Sequence, residues 1–124
     1  MILVDTSVWV EHLRAGNAEL KGLLESGQVL CHPFITGEVA LGSLRRRDVI
    51  LRELRALPQA SMASDEEVLL LIEHRALFGR GIGYVDAHLI AAARLTPTAT
   101  LWTRDTRLHA VATELALATG PAGR

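Results

Sequence analysis

Four acidic residues of this sequence stand where carboxylates could act together in catalysis: Asp5, Glu38, Asp86 and Asp105. Asp5 directly follows the apolar run Ile2-Leu3-Val4, and Asp105 follows a second apolar run, Ala99 to Trp102, after two intervening residues. Short apolar runs of this kind are typical of buried strands. Two of the acids are therefore expected at the carboxyl ends of strands, although an aspartate there can also be the N-cap of the next helix.

The other two acids are predicted to lie on helices and to point toward the core. One turn before Glu38 stand Phe34 and Ile35, and Asp86 has apolar residues three, four and seven positions after it. An ionised carboxylate on such a face is costly unless a cation or hydrogen-bond donors meet it. No Lys or Arg lies within one turn on either face. A buried salt bridge to a distant Arg stays open as an alternative, and the first turn of a helix also favours an acid at Asp86.

Carboxylates that converge on one cleft repel one another unless they are protonated or neutralised. Four oxygen ligands suit Mg²⁺, with Mn²⁺ as a substitute, because these ions prefer carboxylates and water to imidazole or thiolate. Such ions activate a water molecule and stabilise the attacking and leaving oxygens during phosphodiester hydrolysis. The four acids are therefore predicted to be catalytic metal ligands.

Short apolar strands alternate with helices along the chain. The predicted strands are at residues 2–4, 28–31, 60–63 and 99–102. The predicted helices follow caps at Ser7 and Asn17, then run from Pro33 to about Leu44, from Arg47 to Leu57, from the Ser64 capping box through Leu77, from Val85 to Leu95, and from Thr106 to about Leu115. This alternation predicts an α/β fold with a mainly parallel sheet, whose site lies outside the carboxyl ends of the strands.

The ordered set of acidic motifs resembles PIN-domain nucleases, and within them the VapC toxins of bacterial toxin–antitoxin pairs. The matching segments cover nearly the whole chain: Asp5-Thr6-Ser7-Val8-Trp9, Glu38 in the third helix, Asp86 to Ala93, and Thr103-Arg104-Asp105. The resemblance implies a three-layer α/β/α fold and a metal-dependent endoribonuclease with the four acids as its site. It also implies that Ser7 and Thr103 orient ligand carboxylates or water, that a small antitoxin covers the cleft, and that the toxin is a homodimer.

An arginine-rich segment is a candidate for substrate contact. Arg45 and Arg46 lie in the stretch from Leu41 to Pro58, which has five arginines against two acids. RNA phosphates could lie along it. A solvated helix face explains the charge equally well.

A glycine-rich segment, Gly79 to Tyr84, precedes Asp86. It lacks the Gly-Lys-Ser/Thr ending of a P-loop and does not follow a strand, so it is not a nucleotide cradle. It is predicted to be either a mobile loop, with Arg80 or Tyr84 touching the substrate, or a simple connector.

The composition fits one domain, residues 1–124, with a short flexible tail at about 119–124. A net charge of −1 excludes a globally basic nucleic-acid binder, although it allows a local basic patch. The single cysteine, Cys31, cannot form an internal disulfide, and the sequence has neither a secretory signal nor a span that could cross a bilayer. These features predict a cytoplasmic protein without membrane contact.

Three other functions stay open at this point. A catalytically silent PIN module would bind a metal and an antitoxin without turnover. A phosphatase would use Asp5 as its nucleophile, but Ser7 stands where such enzymes have a second acid. A receiver-like signalling module would need a lysine late in the chain, whereas Lys21 is early and is the only one.

Overall fold

The computed structural model describes residues 1–120 and shows strands alternating with helices. Its strands are β1 (Ile2–Val4), β2 (Val29–Leu30) and β3 (Thr100–Trp102). Its helices are α1 (Thr6–Ala15), α2 (Ala18–Glu25), α3 (Pro33–Ala40), α4 (Arg47–Ala56), α5 (Asp65–His74), α6 (Tyr84–Leu95) and α7 (Thr106–Glu114). None of the helices within residues 1–120 is long and apolar enough to span a membrane.

The strands form a parallel sheet of order β2-β1-β3. Ile2 of the central strand pairs with Val29 on one side and with Thr100 on the other. The predicted α/β fold with a parallel sheet between helical layers is confirmed. Because all three strands point the same way, the residues that follow β1 and β3 meet at one edge of the sheet.

The core lies against both faces of this sheet. Leu3 and Val4 of β1 and Leu101 of β3 are fully buried, and α6 contributes an unbroken buried run from Ala87 to Ala93. A helix that is apolar all round is packed all round. The position of Asp86, one residue before this run, is therefore determined by the packing of α6.

Two of the predicted helix caps are confirmed, and the cap at Ser7 is wrong. Asn17 Oδ1 accepts a hydrogen bond from the Leu20 N–H, and Ser64 forms a capping box with Glu67. At α1 the N-cap position belongs to Asp5. Ser7 lies in the first turn of the helix, where its hydroxyl points back to Asp5.

Helix α3 ends at Ala40, earlier than the predicted end near Leu44. The guanidinium of Arg47, at the start of α4, donates to the Ala40 and Gly42 carbonyls. These carbonyls lie where the helix leaves acceptors unpaired, so Arg47 stabilises the early end. As a result Leu41 leaves the helix and is 90% exposed.

Two further boundaries differ from the prediction. Helix α5 ends at His74 rather than Leu77, because Ala76 adopts a left-handed conformation with φ of 51°. Residues 60–63 form no strand. Gln59 makes a single isolated parallel bridge with Cys31, which fastens this segment to the end of β2.

The end of the described chain returns to the sheet. Ala118 forms a bridge with Leu101, and the Thr119 N–H donates to the Leu101 carbonyl at 3.0 Å. The tail predicted to be flexible, at about 119–124, thus starts at Thr119, which is hydrogen-bonded to β3. Residues 121–124 lie outside the described part of the chain.

His32 is a buried histidine at the start of α3, the helix that carries Glu38. Its Nδ1 accepts a hydrogen bond from the Phe34 N–H at 3.0 Å, and its ring is fully buried. Burial of the ring lowers the pKa of His32 below its ordinary value of 6.5, and the nearby His88 lowers this pKa further. The folded chain therefore keeps this ring neutral at pH values where the unfolded chain is already protonated.

We expect the free energy of unfolding to decrease as the pH falls below about 6.5, by at most about 1.4 kcal/mol per pH unit for this one group. The substitution His32→Asn keeps a side-chain acceptor at the N-cap but removes the titration. Chemical denaturation at about pH 7.5 and pH 5.5 should show a smaller pH dependence in the variant than in the wild type. Equal pH dependence in the two proteins would contradict this assignment.

Candidate active site

Asp5 is the most buried carboxylate of the site, with 6% of its surface exposed. Its backbone N–H donates to the Trp102 carbonyl at 2.9 Å, so the pairing of β1 with β3 continues one residue beyond β1. Its Oδ2 accepts hydrogen bonds from Ser7 Oγ and Thr103 Oγ1, both at 2.7 Å. Within residues 1–120, Oδ1 has no hydrogen-bond donor. One oxygen is therefore anchored and the other can meet a ligand.

The hydroxyls of Ser7 and Thr103 connect the ends of β1 and β3. Ser7 Oγ lies 3.4 Å from Thr103 Oγ1 and accepts from the Arg104 N–H at 3.0 Å. Thr103 is fully buried, and its Oγ1 accepts from the Asp105 N–H at 3.1 Å. Both residues predicted to orient ligand carboxylates thus contact Asp5 directly.

Asp105 is an exposed helix cap at the edge of the site. Its Oδ1 accepts from the Arg107 and Leu108 N–H groups at 2.9 and 3.1 Å, at the start of α7. The N-cap interpretation is therefore correct for Asp105. Asp5 also stands at an N-cap position, but its side chain makes no capping bond to its own helix.

Asp86 lies half-buried in the first turn of α6. Its Oδ2 accepts from the Gly83 N–H at 3.0 Å, which fixes the carboxylate over the helix start. The pKa of Asp86 is raised, mainly by burial, and the bond from Gly83 opposes this in part. The negative charges of Asp5, Asp105 and Glu38 raise the pKa further, which places the three other acids within electrostatic reach of Asp86.

Glu38 is exposed, which corrects the prediction that its carboxylate points into the core. The prediction assumed that α3 continues past Leu41. Because α3 ends at Ala40, no further helical turn covers Glu38, and its side chain is open to solvent. The carboxylate is nonetheless held near Asp5, since Thr6 Oγ1 donates to Glu38 Oε1 at 2.6 Å.

No cation neutralises these acids inside the described chain. Within residues 1–120 the ion pairs closer than 4.0 Å join other residues. No Lys or Arg of this part of the chain therefore forms the buried salt bridge that was the alternative for Asp86. The same part of the chain contains no group of three His, Cys, Asp or Glu side chains spaced as ligands of a single ion. The four acids are thus near one another without being packed to coordination distance.

This donor set fits a hard divalent cation. Mg²⁺ keeps several waters and is usually held by only one or two carboxylates, so close packing of three acids is not required. Burial is the main cause of the raised pKa of Asp86, and the negative charges of the three other acids, which such a cation would neutralise, raise this pKa further. No sulfur or imidazole ligand is needed for this chemistry.

Comparison with known proteins identifies the architecture. The family model for the PIN domain matches residues 2–114. This chain belongs to the PIN-domain family. Ribonuclease VapC32 from two strains of Mycobacterium tuberculosis is 50% identical over 118 residues, which is 95% of this chain and 95% of the relative. The crystal structure of FitAcB from Neisseria gonorrhoeae has a TM-score of 0.64, with 23% identity over 91% of this chain and 94% of the other, and shows the same fold.

The glycine segment of this PIN domain packs against α7. The guanidinium of Arg80 makes two hydrogen bonds with the Glu114 carboxylate, both at 2.8 Å. Arg107 covers Gly81 so closely that a Cβ there would lie 2.7 Å from its Nη1. These contacts favour the connector interpretation over a mobile loop, and they pair the predicted substrate contact Arg80 with Glu114.

Tyr84, another predicted substrate contact, begins α6. Its hydroxyl donates to Asp65 Oδ1 at 3.0 Å, and its ring packs edge-on against His88. His88 Nε2 lies 3.1 Å from the same Asp65 oxygen. Tyr84 is 47% exposed, so a substrate can reach one part of a ring that α5 holds in place.

The predicted contacts Arg45 and Arg46 are both exposed at the start of α4. Arg45 lines a groove of about 590 Å³ between α1, α3 and α4, and Glu38 lines the same groove. Arg46 is the N-cap of α4 in a left-handed conformation with φ of 53°. Arg45 thus shares a groove with one of the four acids, and Arg46 is not among the residues that line it.

Two contributors to the site escaped sequence reasoning. Thr6, which holds Glu38, stands inside the quoted motif, but nothing local links it to a residue 32 positions away. Arg104 Nη2 contacts Glu11 Oε1 at 2.9 Å and so fastens the turn after β3 to α1. Only the fold brings these pairs together.

Proposed function

We propose that this PIN domain is an endoribonuclease that hydrolyses RNA phosphodiester bonds with Mg²⁺ as cofactor and Mn²⁺ as a substitute. The observation that carries the proposal is geometric: Ser7 and Thr103 hold Asp5 by one oxygen, Thr6 holds Glu38 beside it, and within residues 1–120 no cation pairs with these acids. The 50% identical relatives are named as ribonucleases, which supports RNA as the substrate.

In this proposal Asp5, Asp86, Asp105 and Glu38 hold the metal and are the catalytic residues. A bound divalent cation supplies an activated water and charge stabilisation for the reacting oxygens. The residues of the chain orient the carboxylates. Ser7 and Thr103 hold Asp5 by one oxygen, and the Gly83 N–H holds Asp86 in the same way. Each acid thus presents its other oxygen without having to reorganise.

We further propose that the chain is the toxin of a type II toxin–antitoxin pair, acts in the cytoplasm and forms a homodimer. The VapC name of the relatives supports the first of these assignments. A small cognate antitoxin would then cover the acidic cleft, where its own positive charge would be favoured by the unneutralised carboxylates.

The test is cleavage of total RNA by the purified chain with Mg²⁺, with Mn²⁺ and with EDTA. We expect cleavage with either metal and none with EDTA, and addition of excess Mn²⁺ should restore activity to the EDTA-treated protein. A chain that binds Mn²⁺ in calorimetry but leaves the RNA intact would instead be the catalytically silent module.

A further inference from the structure

A row of three aromatic rings joins α3 and α6, the two helices that carry Glu38 and Asp86. Phe34 of α3 packs edge-on against His88 of α6, with ring centroids 4.8 Å apart, and Tyr84 packs edge-on against the same histidine at 4.7 Å. We call Phe34, His88 and Tyr84 the aromatic row. His88 is buried, Phe34 is half-buried and Tyr84 is 47% exposed. Tyr84 is therefore the member of the row that a ligand reaches most easily.

The aromatic row lies beside the acids of the site. Phe34 stands four residues before Glu38, so the two share one side of α3 and are about 6 Å apart along its axis. Tyr84 is the first residue of α6, and Asp86 lies in the same first turn. Since each helix places an acid within one turn of the row, a ligand bound at the acids has Tyr84 as a neighbouring surface.

The ring of Tyr84 is fixed at two points. Its hydroxyl donates to Asp65 Oδ1 at 3.0 Å, and His88 Nε2 lies 3.1 Å from the same oxygen. One carboxylate of α5 thus contacts both rings, while His88 also packs against the side of the Tyr84 ring. Because the ring is already held in place, little conformational freedom is lost when a ligand stacks on it.

At least one face of the Tyr84 ring is free of its aromatic neighbour. The planes of Tyr84 and His88 are 89° apart, so His88 can cover no more than one face. Within residues 1–120 no other aromatic ring packs against Tyr84. A flat, rigid and accessible ring beside a site for phosphodiester hydrolysis suits a nucleobase, because unpaired bases stack on aromatic side chains.

We propose that Tyr84 is a substrate-binding residue that stacks on one unpaired base of the RNA held at the acids. This inference rests on the proposed function, since RNA is the ligand. The base has to be unpaired because neighbouring bases cover both faces of a base inside a duplex. A protein partner fits less well, because its contact surface would need grouped apolar side chains. Tyr84 instead has the acidic Asp65 and Asp86 as neighbours.

The test is binding of a short strand of RNA backbone that is abasic except for one adenine, measured in EDTA so that the strand stays intact. For the wild type, the strand with adenine should bind about tenfold more tightly than a fully abasic strand, because stacking contributes about this much for each base. Tyr84→Leu keeps the apolar bulk but removes the ring. This variant should bind both strands equally and as weakly as the wild type binds the abasic strand.

Two control variants separate the ring of Tyr84 from other effects. Tyr84→Phe loses the bond to Asp65 but keeps the ring, so it should retain the preference for the strand with adenine. Phe78→Leu makes the matched aromatic-to-leucine change at a residue that is 62% exposed and outside the aromatic row, and it should bind like the wild type. Circular dichroism should show native helix content in all three variants.

A fluorescent base reports the stacking directly. With 2-aminopurine in place of adenine, the wild type should quench its fluorescence and Tyr84→Leu should leave it unchanged. An equal preference for the base in wild type and Tyr84→Leu, an unquenched probe on the wild type, or a Tyr84→Phe variant as weak as Tyr84→Leu would overturn the proposal. Cleavage of total RNA is assayed separately with metal, so the loss of either proposal is distinguished from the loss of the other.

Discussion

The substitution Asp5→Asn is expected to reduce metal-dependent RNA cleavage by at least about 10³-fold while the chain keeps its fold. Asparagine has the same shape, and its Oδ1 can accept the bonds from Ser7 and Thr103. The negative charge that would hold a divalent cation is lost. Cleavage of total RNA with Mn²⁺ measures the effect, and growth arrest on expression in bacteria should disappear with it.

The matched control for Asp5→Asn is Glu25→Gln. It makes the same carboxylate-to-amide change at an exposed residue at the end of α2, which leads to the opposite edge of the sheet. The control should cleave RNA like the wild type. Undiminished cleavage or toxicity in Asp5→Asn would remove the acidic cleft from the mechanism.

Local chemistry determines the parts of the fold that the sequence predicted well. Asn17 and Ser64 cap helices through residues three positions away, so their bonds are encoded within one turn. Asp5 was found because an acid directly after an apolar strand marks the carboxyl edge of a parallel sheet. Helix caps and strand positions can thus be predicted without knowing which distant residues they contact.

Tertiary contacts determine what the sequence did not predict. The early end of α3 depends on Arg47 reaching back to the Ala40 carbonyl. That end turns Glu38 outward, so its supposed burial, which made it a candidate ligand in the first place, does not exist. Its place beside the other acids comes from Thr6, across 32 residues. Glu38 thus stays a candidate ligand because of this contact and not because of the burial from which it was predicted.

The loop before Asp86 shows the same limit. Three glycines and an arginine resemble a mobile substrate loop by composition alone. The bonds from Arg80 to Glu114 span 34 residues, and Arg107 covers Gly81 from α7. Helix α7 is capped by Asp105 and contacts the loop that leads to Asp86. One helix thus links the positions of two acids, a coupling that no local pattern encodes.

The substitution Asp86→Asn should abolish cleavage to a similar degree and, unlike most substitutions, stabilise the metal-free fold. Folding places the Asp86 carboxylate in a half-buried site among three like charges, and this raises its pKa above the ordinary value of 3.8. Ionisation of Asp86 therefore opposes folding at neutral pH. Asparagine removes that cost and can still accept from Gly83. We expect a gain in the free energy of unfolding on the order of 1 kcal/mol in EDTA, the size typical of stabilising substitutions.

The pH dependence of this stability gain shows whether it comes from the Asp86 carboxylate. The penalty is complete above the raised pKa of folded Asp86 and vanishes below the pKa of the unfolded chain, so the stability gain of Asp86→Asn should shrink as the pH falls toward 3.8. Asp105→Asn is the matched control, since Asp105 is exposed and asparagine caps a helix equally well. That variant should lose activity without gaining stability. Denaturant unfolding in EDTA at several pH values measures both, and a destabilised Asp86→Asn at neutral pH would mean that Asp86 serves the fold rather than a cation.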